Sequence, residues 1–149
     1  MDKLLYIIPV FAAGMGLSLQ GIVNGGLARG LGSAVTAAMV SFWVGGFVLT
    51  VLALASGGVT QAFASAKALG PGWWVGGGLL GAAFVTAVTF AAPRVGIAAT
   101  MAFAIAGQLI AASALDHFGA LGTPVHPFNL VRAAGIGMLI CGALLVRFF

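Results

Sequence analysis

The residues able to do chemistry in this chain are few, and most carry amides or hydroxyls. Gln20 and Asn24 stand one helical turn apart, so their amides project in similar directions if the segment is helical. Gln108 lies midway along a later apolar run, and Thr86 and Thr89 share a face of another. Ser41 and Trp43 sit within a further run, where Thr36, Trp43 and Thr50 follow a seven-residue spacing. Such groups can hydrogen-bond a polar solute or wall a cavity. They supply no reacting pair: there are no spaced Cys and His ligands, no paired carboxylates, no phosphate loop and no nucleophile beside a base. The pattern argues against an enzyme and implies neither metal nor cofactor.

Each of these side chains also has a plainer role open to it. The amides can be interhelical glue, since hydrogen bonds between helices are ordinary in membrane bundles. Asn24 can instead shape a turn with the glycines after it. The hydroxyls of Ser41, Thr36, Thr50, Thr86, Thr89 and Thr100 can bond their own preceding helical carbonyls. Trp43 can be packing rather than cavity wall.

Asp116 and His117 form the one acid and imidazole pair near an apolar run. They could relay protons at a cavity mouth, because histidine titrates near neutral pH. Equally, they could be a solvated helix end with Asp116 paired to Arg132. Twenty residues after Gly96, Asp116 falls about 30 Å along a helix, at a membrane boundary rather than its centre. A central carboxylate to exchange protons with cationic drugs is therefore missing, and neutral, zwitterionic or anionic solutes fit better. His126, flanked by Pro124 and Pro127, reads as a loop residue.

The elements that must position these groups are membrane spans. The 149 residues are 62% hydrophobic and 5% charged, with a mean hydropathy of +1.20. A soluble domain carries roughly 25% charged residues. Five apolar runs reach the roughly 20 residues needed to cross a bilayer. They are predicted at 4–23, 33–55, 73–92, 96–115 and 130–146, forming one all-α transmembrane domain over 1–149. The first run resembles a signal peptide at its start but continues too far, so it is read as a span. Asn24, Gly25 and Gly26, then Gly30 to Gly32, are expected to loosen the first turn, with Ser33 capping the second helix. Pro93 and Arg94 are expected to make a very tight third turn, and Gly119, Gly122, Pro124 and Pro127 to fill a longer fourth one.

The 24 glycines favour close helix packing. Gly21 with Gly25, and Gly77 with Gly81, are four apart and share a face, as in small-residue helix contacts. Cys141 is alone and cannot form an intrachain disulfide. The six basic residues are spread singly rather than clustered, which excludes a nucleic-acid surface.

Charge placement gives the clearest topological expectation. With five spans, Lys3, Lys67 and Arg132 fall on one side and Arg29, Arg94 and Arg147 on the other. Basic residues in short loops set orientation, and here neither side has the excess. The chain is expected to insert both ways and pair with itself as an antiparallel homodimer, a ten-helix inverted repeat in the bilayer. Many secondary transporters place a solute site near the midplane of such a repeat. Orientation by a paired homologue is the alternative partner. The functional expectation is a secondary transporter moving a small solute by alternating access; a passive channel or a non-transporting membrane subunit are the competing readings.

The chain resembles the YdcZ-type family of small five-helix proteins in the drug/metabolite transporter (DMT) superfamily. The resemblance runs through Gln20, Asn24, Leu27, Leu31 and Gly32, then Ser41, Phe42 and Gly45, then Trp73, Trp74, Gly77, Gly78 and Gly81. It continues with Gly96, Gly107, Gln108, Leu109, Ser113, Asp116, Phe118 and Gly119, and ends with Arg132, Gly135 and Gly142. It implies a transporter-like fold in a bacterial-type inner membrane, as single dual-topology chains, paired genes or fused ten-helix proteins. It implies no particular substrate.

Overall fold

The computed structural model describes residues 2–59, 62, 66 and 69–149, and among them all regular structure is helical. Lys67, part of the charge tally, lies outside the described residues. Five long helices run in order: α1 Asp2–Leu31, α2 Ala34–Ala55, α3 Pro71–Val95, α4 Ile97–Phe118 and α5 Leu130–Phe148. A single 3-10 turn, Ala120–Gly122, follows α4. All five are long and apolar enough to cross a membrane, as the composition requires.

The ends of the helices have identifiable causes. Ser33 caps α2, its hydroxyl accepting from the Thr36 N–H at 3.2 Å. Asn129 does the same for α5, accepting from the Arg132 N–H at 2.9 Å. Helix α4 ends on Gly119 in the left-handed region, φ 59°, where an L side chain would be strained.

Two expected turns are corrected. Asn24, Gly25 and Gly26 do not loosen the first connection; α1 continues through them for about two more turns to Leu31. Two interior glycines weaken a helix by about 1 kcal/mol each relative to alanine. Here tertiary contact prevails, because Gly21, Asn24 and Gly25 are all buried. At 30 residues α1 spans about 45 Å, longer than the hydrocarbon core, so it must tilt or emerge. Likewise Pro93 and Arg94 do not form the third turn but lie in the last turn of α3. The break falls at Gly96, whose φ of 88° is open to glycine and strained for other residues.

By contacts the chain divides into two compact units, Met1–Ser18 with Ala91–Phe149, and Leu19–Phe90. In the first, α4 packs against α5 around Ala99, Ala106, Ser113, Ile136 and Ala143. In the second, the buried residues include Ala37, Ala38, Val85, Val88, Asn24 and Thr89. Leu and Phe side chains face outward on every helix, joined by Trp43 on α2 and by Trp73 and Trp74 on α3. This reverses the order of a water-soluble protein and suits a chain whose solvent is lipid.

Candidate functional site

Helix α1 delivers Asn24 to the interior, where it is 1% exposed. The Ser41 hydroxyl, two turns into α2, donates to Asn24 Oδ1. The short connection at Gly32 and Ser33 brings these turns together: α1 ends and α2 begins within three residues. The bond satisfies only half of the amide. Asn24 Nδ2 is buried and has no hydrogen-bond partner.

Thr89 on α3 is also 1% exposed, and its Oγ1 likewise lacks a partner. Other hydroxyls in the chain bond back to their own helix: Thr50 to the Gly46 carbonyl and Thr100 to the Gly96 carbonyl, both at 2.7 Å. Thr89 does not. Pro93, four residues on, has no N–H to donate to the Thr89 carbonyl either. Asn24 and Thr89 are the largest fully buried side chains among the described residues, and both are polar. Leaving a buried polar group unpaired costs about 1–3 kcal/mol.

The remaining amide and aromatic candidates lie on outer surfaces of the chain. Gln20 and Gln108 are exposed, and Trp43 is 75% exposed. Trp43 borders a shallow surface hollow on α2 with Phe42, Gly46, Phe47 and Thr50. Thr86 is half-buried. An amide facing hydrocarbon would leave its donors and acceptors unmatched, so Gln20 and Gln108 need cover from water or another chain.

The glycine positions separate. A Cβ on Gly81 would lie 3.2 Å from Phe42 Cζ, so α2 approaches α3 closely there. Gly21 and Gly25 are buried on the face of α1 that carries Asn24. Gly77 has nothing within 4 Å of a Cβ built on it, so any packing role needs a second chain.

Asp116 and His117, at the end of α4, take part in a clasp around the loop before α5. Asp116 Oδ2 lies 3.4 Å from Arg132 Nη1, which also reaches the His126 carbonyl at 3.4 Å. The His126 N–H donates to the Asp116 carbonyl at 2.9 Å, and the Phe128 N–H donates to His117 Nδ1 at 3.1 Å. Accepting at Nδ1 leaves the neutral imidazole proton on Nε2. Between α4 and α5 lies a groove of about 620 Å³, lined by Ile110, Ser113, His117, Phe128, Ile136 and Ile140 among others. Ser113 and Phe128 were not picked out as site residues from sequence. Ser113 is a hydroxyl inside a span and carried that signal; Phe128 stands just before the predicted span 130–146 and carried none. Among the described residues there is no cluster of His, Cys, Asp or Glu that could hold a metal ion.

Comparison with known proteins agrees with this architecture. No curated protein matches the chain, and no solved structure does. A family model described as "Putative inner membrane exporter, YdcZ" matches residues 5–145 and so takes in all five helices. Five helices long and apolar enough to cross a membrane fit that description, and the chain belongs to the YdcZ family.

Proposed function

We propose that the protein is a secondary transporter that moves a small solute by alternating access as a dual-topology antiparallel homodimer. The carrying observation is the even placement of its basic residues. Arg29, Arg94 and Arg147 stand in the last turns of α1, α3 and α5. If every helix crosses the bilayer, these three share one side, and Lys3, Lys67 and Arg132 share the other. Neither flank then holds the excess of positive charge that fixes orientation.

Two oppositely inserted copies form an inverted repeat, the architecture on which alternating access is commonly built. With identical halves, the inward-open and outward-open states are one structure with the protomers exchanged. No intrinsic bias between them arises. A second copy also offers cover for Gln20 and Gln108, whose exposure on one chain is unfavourable in hydrocarbon.

The test is to tag both termini and map their compartment in intact cells. Each tag is expected on both sides of the membrane. Two lysines added beside Arg147 should drive one orientation and abolish the crosslinked dimer; coexpression with an oppositely biased variant should restore it. Every molecule in a single orientation, with no oppositely oriented homologue as mate, would overturn the reading. Ion currents far above turnover-limited rates would replace the carrier with a channel.

A further inference from the structure

Resting on the transporter reading, we infer that Asn24, Ser41 and Thr89 form the polar part of the solute site, and that the site takes a hydrogen-bond acceptor without net positive charge. All three lie in the unit Leu19–Phe90. Asn24 is about two turns before the end of α1, Ser41 about two turns after the start of α2, and Thr89 nearly two turns before the end of α3. In a chain that crosses with each helix, those three ends share one side.

The chemistry of the vacant positions sets the ligand class. Ser41 already fills the acceptor side of the Asn24 amide, leaving Nδ2 as an unmatched donor. A carbonyl, carboxylate or other acceptor oxygen complements it. The Thr89 hydroxyl, unbonded and buried, supplies a second position that can donate or accept.

A cation has no counterpart here. The whole chain has two acids, Asp2 in the first turn of α1 and Asp116 at the far end of α4, the latter held by Arg132. Desolvating a positive charge beside Asn24 and Thr89 without a carboxylate is strongly unfavourable.

The chain has two asparagines, which makes the test direct. Protein labelled with [15N]asparagine and reconstituted in lipid nanodiscs gives two side-chain amide signals. Asn129, exposed and capping α5, serves as the internal reference. The probes are N,N-dimethylacetamide as a neutral acceptor, acetate as an anionic acceptor, and tetramethylammonium as a cation without an acceptor.

At least one acceptor probe is expected to shift the Asn24 amide saturably, leaving Asn129 unmoved, while tetramethylammonium shifts neither. Thr89→Val should weaken that probe about tenfold, the effect of one buried hydrogen bond, and Thr89→Ser should restore it. Ser41→Ala gives a second variant, and should change the Asn24 signal before any probe is added. No saturable shift with either acceptor, or an equal shift with tetramethylammonium, would overturn the inference. Orientation mapping is read separately: acceptor binding by a protein confined to one orientation removes the antiparallel carrier and leaves the site.

Discussion

Arg132 Nη1 lies 3.4 Å from Asp116 Oδ2, tethering the first turn of α5 to the last turn of α4. Both side chains are 34% exposed, so solvent screens the pair. A double-mutant cycle with Asp116→Asn and Arg132→Gln should give a coupling of about 0.2–1 kcal/mol that shrinks with added salt. A coupling above about 3 kcal/mol would mean that the pair is desolvated in the assembled protein.

The two ends of the Asn24–Ser41 bond are unequal. Ser41→Ala strips the partner from an amide already missing one, and should lower stability by about 1–3 kcal/mol. Asn24→Leu removes the unsatisfied Nδ2 together with Oδ1 and frees the Ser41 hydroxyl to bond its own helix, so it should be less harmful. Reversible unfolding of both variants in the same lipid checks the order. Equal losses would show that the bond acts simply as interhelical glue.

Thr89→Val should make the protein more stable, by about 1–3 kcal/mol, because it replaces an unpaired buried hydroxyl with a methyl of the same shape. Thermal unfolding without solute measures this. A fall in melting temperature would show that Oγ1 has a partner in the membrane, such as water or a second chain.

Gly81 and Gly77 separate contacts within a chain from contacts between chains. Gly81→Leu pushes a side chain toward Phe42 and should destabilise the chain by about 1–3 kcal/mol. Gly77→Leu meets open space and should leave the monomer fold unchanged. Crosslinking reads the rest: loss of dimer in the Gly77 variant alone places Gly77 at the subunit interface.

Gly119→Ala should destabilise by at least about 1–2 kcal/mol, the penalty for an L residue in the left-handed region. A Cβ there would also come within 2.7 Å of Val125 Cγ2, so the loop must shift. Denaturation of this variant beside Gly122→Ala, where φ is 81° but nothing lies near, separates strain from clash.

Five helices were legible in the sequence because apolar runs of membrane length, broken by charge and glycine, leave little choice of structure. The cap at Ser33 was legible from its local pattern, and the Asp116–Arg132 pair was one of the two readings open for Asp116. Local signals failed where tertiary contact overrode them. Asn24-Gly25-Gly26 reads as a turn by propensity, yet α1 runs through it because Asn24 and Gly25 are buried and Ser41 reaches across. Pro93-Arg94 reads as a break, but a proline near a helix end loses few hydrogen bonds, and Gly96 supplies the break instead. The missing back-bond of Thr89 had no sequence signal, since every threonine in a span starts with the same option.

The outward bulk and inward alanines have a consequence for handling the protein. Folding here bares or hides little hydrocarbon to water, because the unfolded helices would remain in lipid. Urea acts by wetting newly uncovered surface and should therefore find little to grip, giving a shallow dependence on its concentration. Acyl-chain length is the stronger lever, since α1 outreaches a thin bilayer and must lean to fit.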